Sequence, residues 1–149
     1  MSGMIKHILL LVDRSEGAVS AARFAIQLAK NQGAGLTAAV VVDTETLRNL
    51  LRAHIFVDEE MEEYEREMEG SCRKQLNYVT GLAEKASVKL DTIMLKGSIH
   101  ATILEKQKAM GCDLLVMAGF VSSLARRDVI AREKQLVVDE SMCPVLLVR

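Results

Sequence analysis

Ile8-Leu9-Leu10-Leu11-Val12 is apolar at every position. A strand with one face in water alternates apolar and polar residues, whereas an unbroken run belongs to a strand covered on both faces, as in parallel sheets. Leu36 to Val42 repeats the pattern, as do Asp113-Leu114-Leu115-Val116-Met117-Ala118 and the closing Cys143-Pro144-Val145-Leu146-Leu147-Val148. Val88 to Leu95 alternates more, as an edge strand would. The segments between these runs have helical spacing. Val19, Ala22, Ala25, Ile26 and Ala29 recur until Asn31-Gln32-Gly33, with Ser15 as a candidate N-cap. Leu47, Leu50, Leu51 and His54 predict a short helix, and Asp58 to Ala86 a long one with a stripe of Met61, Tyr64, Met68, Leu76, Val79, Leu82 and Ala86. Gly97-Ser98 opens a helix over Ala101 to Met110, and a last helix turns Val129, Ile130, Leu136 and Val137 inward. Alternating strands and helices predict an α/β fold, an open five-stranded parallel sheet with helices on both faces. With 149 residues and no repeat or linker, one domain is expected.

Composition narrows the function classes. Half the residues are hydrophobic and 26% are charged, a globular balance. The net charge of −1 gives no overall attraction to nucleic acid or anionic membrane, and 3% aromatics without Trp offer no stacking platform for bases. No apolar run approaches a membrane span, so no membrane insertion is expected. Met1-Ser2-Gly3 reads as a tag remnant ahead of a start at Met4. Cys72, Cys112 and Cys143 are far apart in sequence without a C-x-x-C pair, and read as small buried hydrophobes in a reducing, cytoplasmic setting, with a reactive thiol as the alternative. His7, His54 and His100 are equally scattered, which leaves no zinc spacing. The eight acids between Asp58 and Glu69 suit the positive end of the long helix and read as a solvated face.

In an open α/β sheet, ligands bind at the carboxyl ends of the strands, where the strand order reverses. That places the candidate site at Asp13 to Ser15, at Val42 and Asp43, and at Ala118 to Ser123. The G-x-G-x-x-G of a dinucleotide fold is absent after the first strand, where Asp13-Arg14-Ser15-Glu16-Gly17-Ala18 stands, and no P-loop run occurs. A phosphoacceptor domain would need paired acids after the first strand, an aspartate after the third and a lysine after the fifth. One acid, Lys96-Gly97 and the end of the given chain stand there instead. His7 falls at the wrong end of the sheet for chemistry, and His100 has no evident partner, so it reads as a helix-surface residue. No catalytic constellation is predicted.

The order of Ile8-Leu9-Leu10-Leu11-Val12-Asp13-Arg14-Ser15, Gly97, Ile103, Cys112-Asp113-Leu114-Leu115-Val116-Met117 and the closing Cys-Pro-Val-Leu-Leu-Val resembles the universal stress protein family over essentially the whole chain. The resemblance implies strand order 3-2-1-4-5, an adenine nucleotide alpha hydrolase-like architecture and a stress-response role. In the family's nucleotide-binding branch, G-x-x-G-x9-G-[S/T] wraps the phosphates in backbone amides. A gapless match puts its glycines on Ala118, Val121 and Ala131 and its hydroxyl on Arg132, while Gly119 lies one residue out of phase. A β-branched residue resists positive φ, a methyl obstructs close approach of phosphate to backbone, and a long cation replaces a small hydroxyl. The expectation is a member without conventional ATP binding and without a cofactor; an ATP-binding switch or weak ATPase is one alternative, and a regulatory module docking on a transporter or kinase another. The same pocket (Asp13, Arg14, Ser15, Val42, Gly97, Ala118, Gly119, Val121, Ala131, Arg132) would take another anion if Arg14, Arg126, Arg127 and Arg132 converged. Ser122 and Ser123 read as ordinary loop serines, with phosphorylation as the alternative. In the family order the last strand is an apolar edge with no lysine before Arg149. Antiparallel pairing with its own copy through Val145, Leu146, Leu147 and Val148 would cover it and make a homodimer, as in family members.

Overall fold

The computed structural model describes residues 4–54, 57–120 and 129–149. The expectations for Met1-Ser2-Gly3, Val121, Ser122, Ser123, Arg126 and Arg127 therefore lie outside the described residues. The strands are β1 (His7–Leu11), β2 (Gly35–Val42), β3 (Leu90–Lys96), β4 (Leu114–Ala118) and β5 (Val145–Val148). They form one parallel sheet in the order β3-β2-β1-β4-β5. The helices are α1 (Ala18–Gln32), α2 (Thr44–Arg52), α3 (Asp58–Lys85), α4 (Ile99–Met110) and α5 (Val129–Glu140).

Two-sided burial explains the unbroken apolar runs. Ile8, Leu10 and Val12 point to one face, where they meet Ala22, Ile26, Leu76 and Val79 of α1 and α3. Leu9 and Leu11 point to the other, with Ile103 of α4 and Val137 of α5. Leu114 and Val116 join the first layer, Leu115 and Met117 the second. Every one of these strand residues is under a tenth exposed, so a polar substitution on either face would bury an unpaired group.

Several local expectations are corrected. Ser15 does not cap α1. Gly17 stands at the N-cap without a side-chain bond, because the Ser15 hydroxyl donates to Asp13 Oδ1 at 2.5 Å. Val19, expected inward on α1, is 40% exposed. On α3 the buried stripe is Cys72, Leu76, Val79 and Ala83, and Tyr64 is exposed. The acids of α3 are not all solvated either, since Glu65 and Glu69 both face Lys96 at the end of β3, Glu69 at 2.5 Å. That contact holds the Glu69 carboxyl below its usual range. On α5 the inward residues are Ala131, Lys134 and Val137, whereas Val129, Ile130 and Leu136 are exposed.

Gly97 follows β3 at φ +141°, and a Cβ built there would sit 2.9 Å from Thr102 Cγ2. Backbone at that φ is essentially reserved for glycine, and the methyl would also strike the first turns of α4. Gly97→Ala is expected to lower stability by about 1–3 kcal/mol, read as an earlier midpoint in urea. An unchanged midpoint would mean that the turn relaxes freely.

Candidate functional site

Strand order reverses between β1 and β4, and the carboxyl ends of these two strands meet at one buried ion pair. Asp13 leaves β1 two residues after Leu11. Its Oδ1 accepts from the Ser15 amide at 2.9 Å and the Ser15 hydroxyl, while its backbone carbonyl accepts from Gln75 Nε2 at 2.7 Å. Its other oxygen, Oδ2, is shielded from solvent and meets the ammonium of Lys134. The Lys134 side chain is 2% exposed and that of Asp13 is 9%. Lys134 Nζ also donates to the Ala118 carbonyl at 3.0 Å, the last residue of β4. A lysine from α5 thus links the carboxyl ends of β1 and β4 through its ammonium.

The sequence did not single out Lys134. The signal was its spacing, since Ala131, Lys134 and Val137 are three apart and share one helix face. A lysine on an inward face needs a partner, because a desolvated ammonium is costly when alone.

Beside the pair lies a cavity of about 700 Å³ between the ends of β1 and β2 and helices α2 and α3. Its walls are mainly apolar, with Leu11, Val12, Val41, Leu47 and Met68 among them, and Asp13, Arg14, Asp43, Thr46 and Gln75 add polar groups. Val129 and Ile130 border it, so these two residues of α5 face the cavity instead of the core. Asp43 is committed locally, capping α2 by accepting from the Thr46 amide at 3.1 Å and its hydroxyl at 2.7 Å. Cys72 reaches the wall from α3, and burial pushes its thiol up.

Of the expected site residues, the structure brings Asp13 and Ala118 together through Lys134, and it places Asp13 and Arg14 on the cavity wall. Val42 is fully buried, and its carbonyl accepts from the Gly97 amide at 3.1 Å. Ala131 is buried and Arg132 points to solvent. Gly119 donates its amide to the Val148 carbonyl at 2.8 Å, so it extends the β4–β5 pairing. The Ala118 methyl lies against the start of α1, where a Cβ on Gly17 would approach it to 3.3 Å. His100 does have a partner: its Nδ1 lies 2.7 Å from Glu133 Oε2, a brace between α4 and α5. Cys72 and Cys112 are buried as expected and Cys143 is half-buried; the fold also brings Cys112 and Cys143, 31 residues apart in sequence, to a sulfur–sulfur distance of 3.7 Å.

The family model described as the universal stress protein family matches residues 4–149. The chain belongs to the universal stress protein family. Among relatives, it is 30% identical over 146 residues to the universal stress protein MJ0531 of Methanocaldococcus jannaschii, spanning 98% of this chain and 83% of that protein. The hypothetical protein MJ0577 shares the fold with a TM-score of 0.76 at 19% identity, covering 97% of this chain and 96% of the other. A universal stress protein from Archaeoglobus fulgidus, solved in complex with dAMP, superposes with a TM-score of 0.62 at 17% identity over 97% and 98% of the two chains. Among the described residues, no helix of this family member is long and apolar enough to cross a membrane, and no three His, Cys, Asp or Glu side chains gather to hold a metal.

Proposed function

We propose that this universal stress protein works in the cytoplasm as a homodimer that acts by binding and not by turnover, and that it does not seat ATP against the backbone beyond β4. One observation carries the proposal: the Lys134 ammonium lies buried between the Asp13 carboxylate and the Ala118 carbonyl. A triphosphate laid across that crevice needs backbone amides and open room. Lys134 occupies the space between Asp13 and Ala118, and its charge is paired with Asp13. The methyl groups of Ala118 and Ala131 and the loss of the family hydroxyl at Arg132 support the same reading. The dimer would form at β5, which among the described residues pairs only with β4 and leaves Leu147 40% exposed.

A second reading, an ATP-binding switch or weak ATPase, draws on the cavity. At about 700 Å³ it is in the size range of small-molecule sites, and the Archaeoglobus fulgidus relative holds dAMP. The two readings part on one experiment. Purified protein, denatured and examined by mass spectrometry, is expected to release no adenine nucleotide; a stoichiometric nucleotide would favour the switch.

A further inference from the structure

At the opposite end of the sheet from Lys134, the chain entering β4 and the chain entering β5 bring two thiols together. Cys112 is 8% exposed and precedes β4, while Cys143 is half-buried and precedes β5. Their sulfurs are 3.7 Å apart. A disulfide bond spans about 2.05 Å, so less than about 2 Å of side-chain movement would close it.

The contact is held by a side chain from a third element. Gln107 of α4 is 2% exposed, and its amide nitrogen donates to Ser141 Oγ at 2.7 Å and to Cys143 Sγ at 2.9 Å. Its amide oxygen accepts from the Met142 backbone at 3.2 Å, and the Ser141 hydroxyl donates to the Cys143 carbonyl at 2.7 Å. A buried glutamine therefore fixes the turn that delivers Cys143 to Cys112. A surface depression of about 510 Å³, lined by Gln107, Lys108, Gly111, Cys112 and Met142, opens beside Cys112.

We propose that Cys112 and Cys143 are a reversible redox pair, closed to an intramolecular disulfide by a peroxide-class oxidant and reopened by a dithiol reductant. Cys143 is the sulfur oxidised first, since its residue is the more exposed of the two and Gln107 holds its Sγ in place with a hydrogen bond. Its sulfur attacks one oxygen of hydrogen peroxide; the O–O bond breaks, hydroxide leaves and takes up a proton as water, and Cys143 becomes a sulfenic acid. The Cys112 sulfur then attacks the Cys143 sulfur, and the displaced hydroxide leaves as water with the Cys112 proton. Two thiols and one peroxide give one disulfide and two waters, the sulfur pair losing two electrons. Burial and the neighbouring Cys143 push the Cys112 thiol up to about 12, which suits Cys112 to the second, resolving step rather than the first. The closed loop, residues 112–143, would contain β4 and α5 and tie the base of β5 to β4.

The test uses the whole protein with hydrogen peroxide as probe. Reduced protein, denatured and alkylated, should show three reactive thiols, one for each cysteine. Peroxide-treated protein should show one, at Cys72, with a mass lower by two hydrogens, a linked peptide pair containing Cys112 and Cys143, and all three thiols restored by dithiothreitol. In Cys112→Ser, dimedone should label Cys143. Three free thiols after peroxide would overturn the proposal, as would a bridge to Cys72 or a bridge between chains. The wild-type peptide map decides the matter even if a serine variant fails to fold.

Discussion

Lys134→Met is expected to lower stability by about 3–5 kcal/mol, because it strands the Asp13 carboxylate without its partner in a place closed to water. For a chain of this size that corresponds to a fall of roughly 10 °C or more in the thermal midpoint. Attraction between the two charges is not the whole cost, since much of the loss is the desolvation of the charge left behind. The double variant Asp13→Asn with Lys134→Met should therefore recover most of the loss, a coupling that a double-mutant cycle measures directly. Calorimetric melting of the four proteins checks this. A single-variant cost under about 1 kcal/mol would place the pair in solvent, where such bridges contribute little, and would remove the obstacle assigned to the crevice.

Leu147→Lys should convert the proposed β5 dimer into a monomer, seen as a halved mass in light scattering. Lysine on an exposed edge strand is a common device against strand-to-strand pairing, and across a two-fold axis each copy would bring one, doubling the repulsion. Leu147 is the appropriate position because it is the exposed residue of β5, whereas Val145, Leu146 and Val148 pack partly on the two core layers. Lysine at Val145 would damage the protomer as well and confuse the reading. An unchanged dimer would exclude β5 as the interface.

The strands were legible because burial on both faces leaves an unmistakable mark, and Ile8 to Val12 had no other reading. The strand order followed from the family resemblance and not from the runs themselves. Of the apolar residues of α5 expected inward, Val137 reaches the core, whereas Leu136 is exposed and Val129 and Ile130 border the cavity; the core side is completed by Ala131 and Lys134. A lysine counts as solvent-facing in any pattern of apolar and polar residues, so the residue that decides the character of the crevice was invisible until Asp13 and the end of β4 were placed around it. Cys112 and Cys143 were hidden for a related reason. Contacts made by parallel neighbours are long in sequence, and only the pairing of β4 with β5 brings these thiols together.

Isothermal titration of the purified, reduced protein with ATP and Mg²⁺ tests the central claim most directly. With Lys134 seated between Asp13 and Ala118, no saturable heat is expected across the micromolar range. A micromolar dissociation constant with one nucleotide bound per protomer would contradict the account.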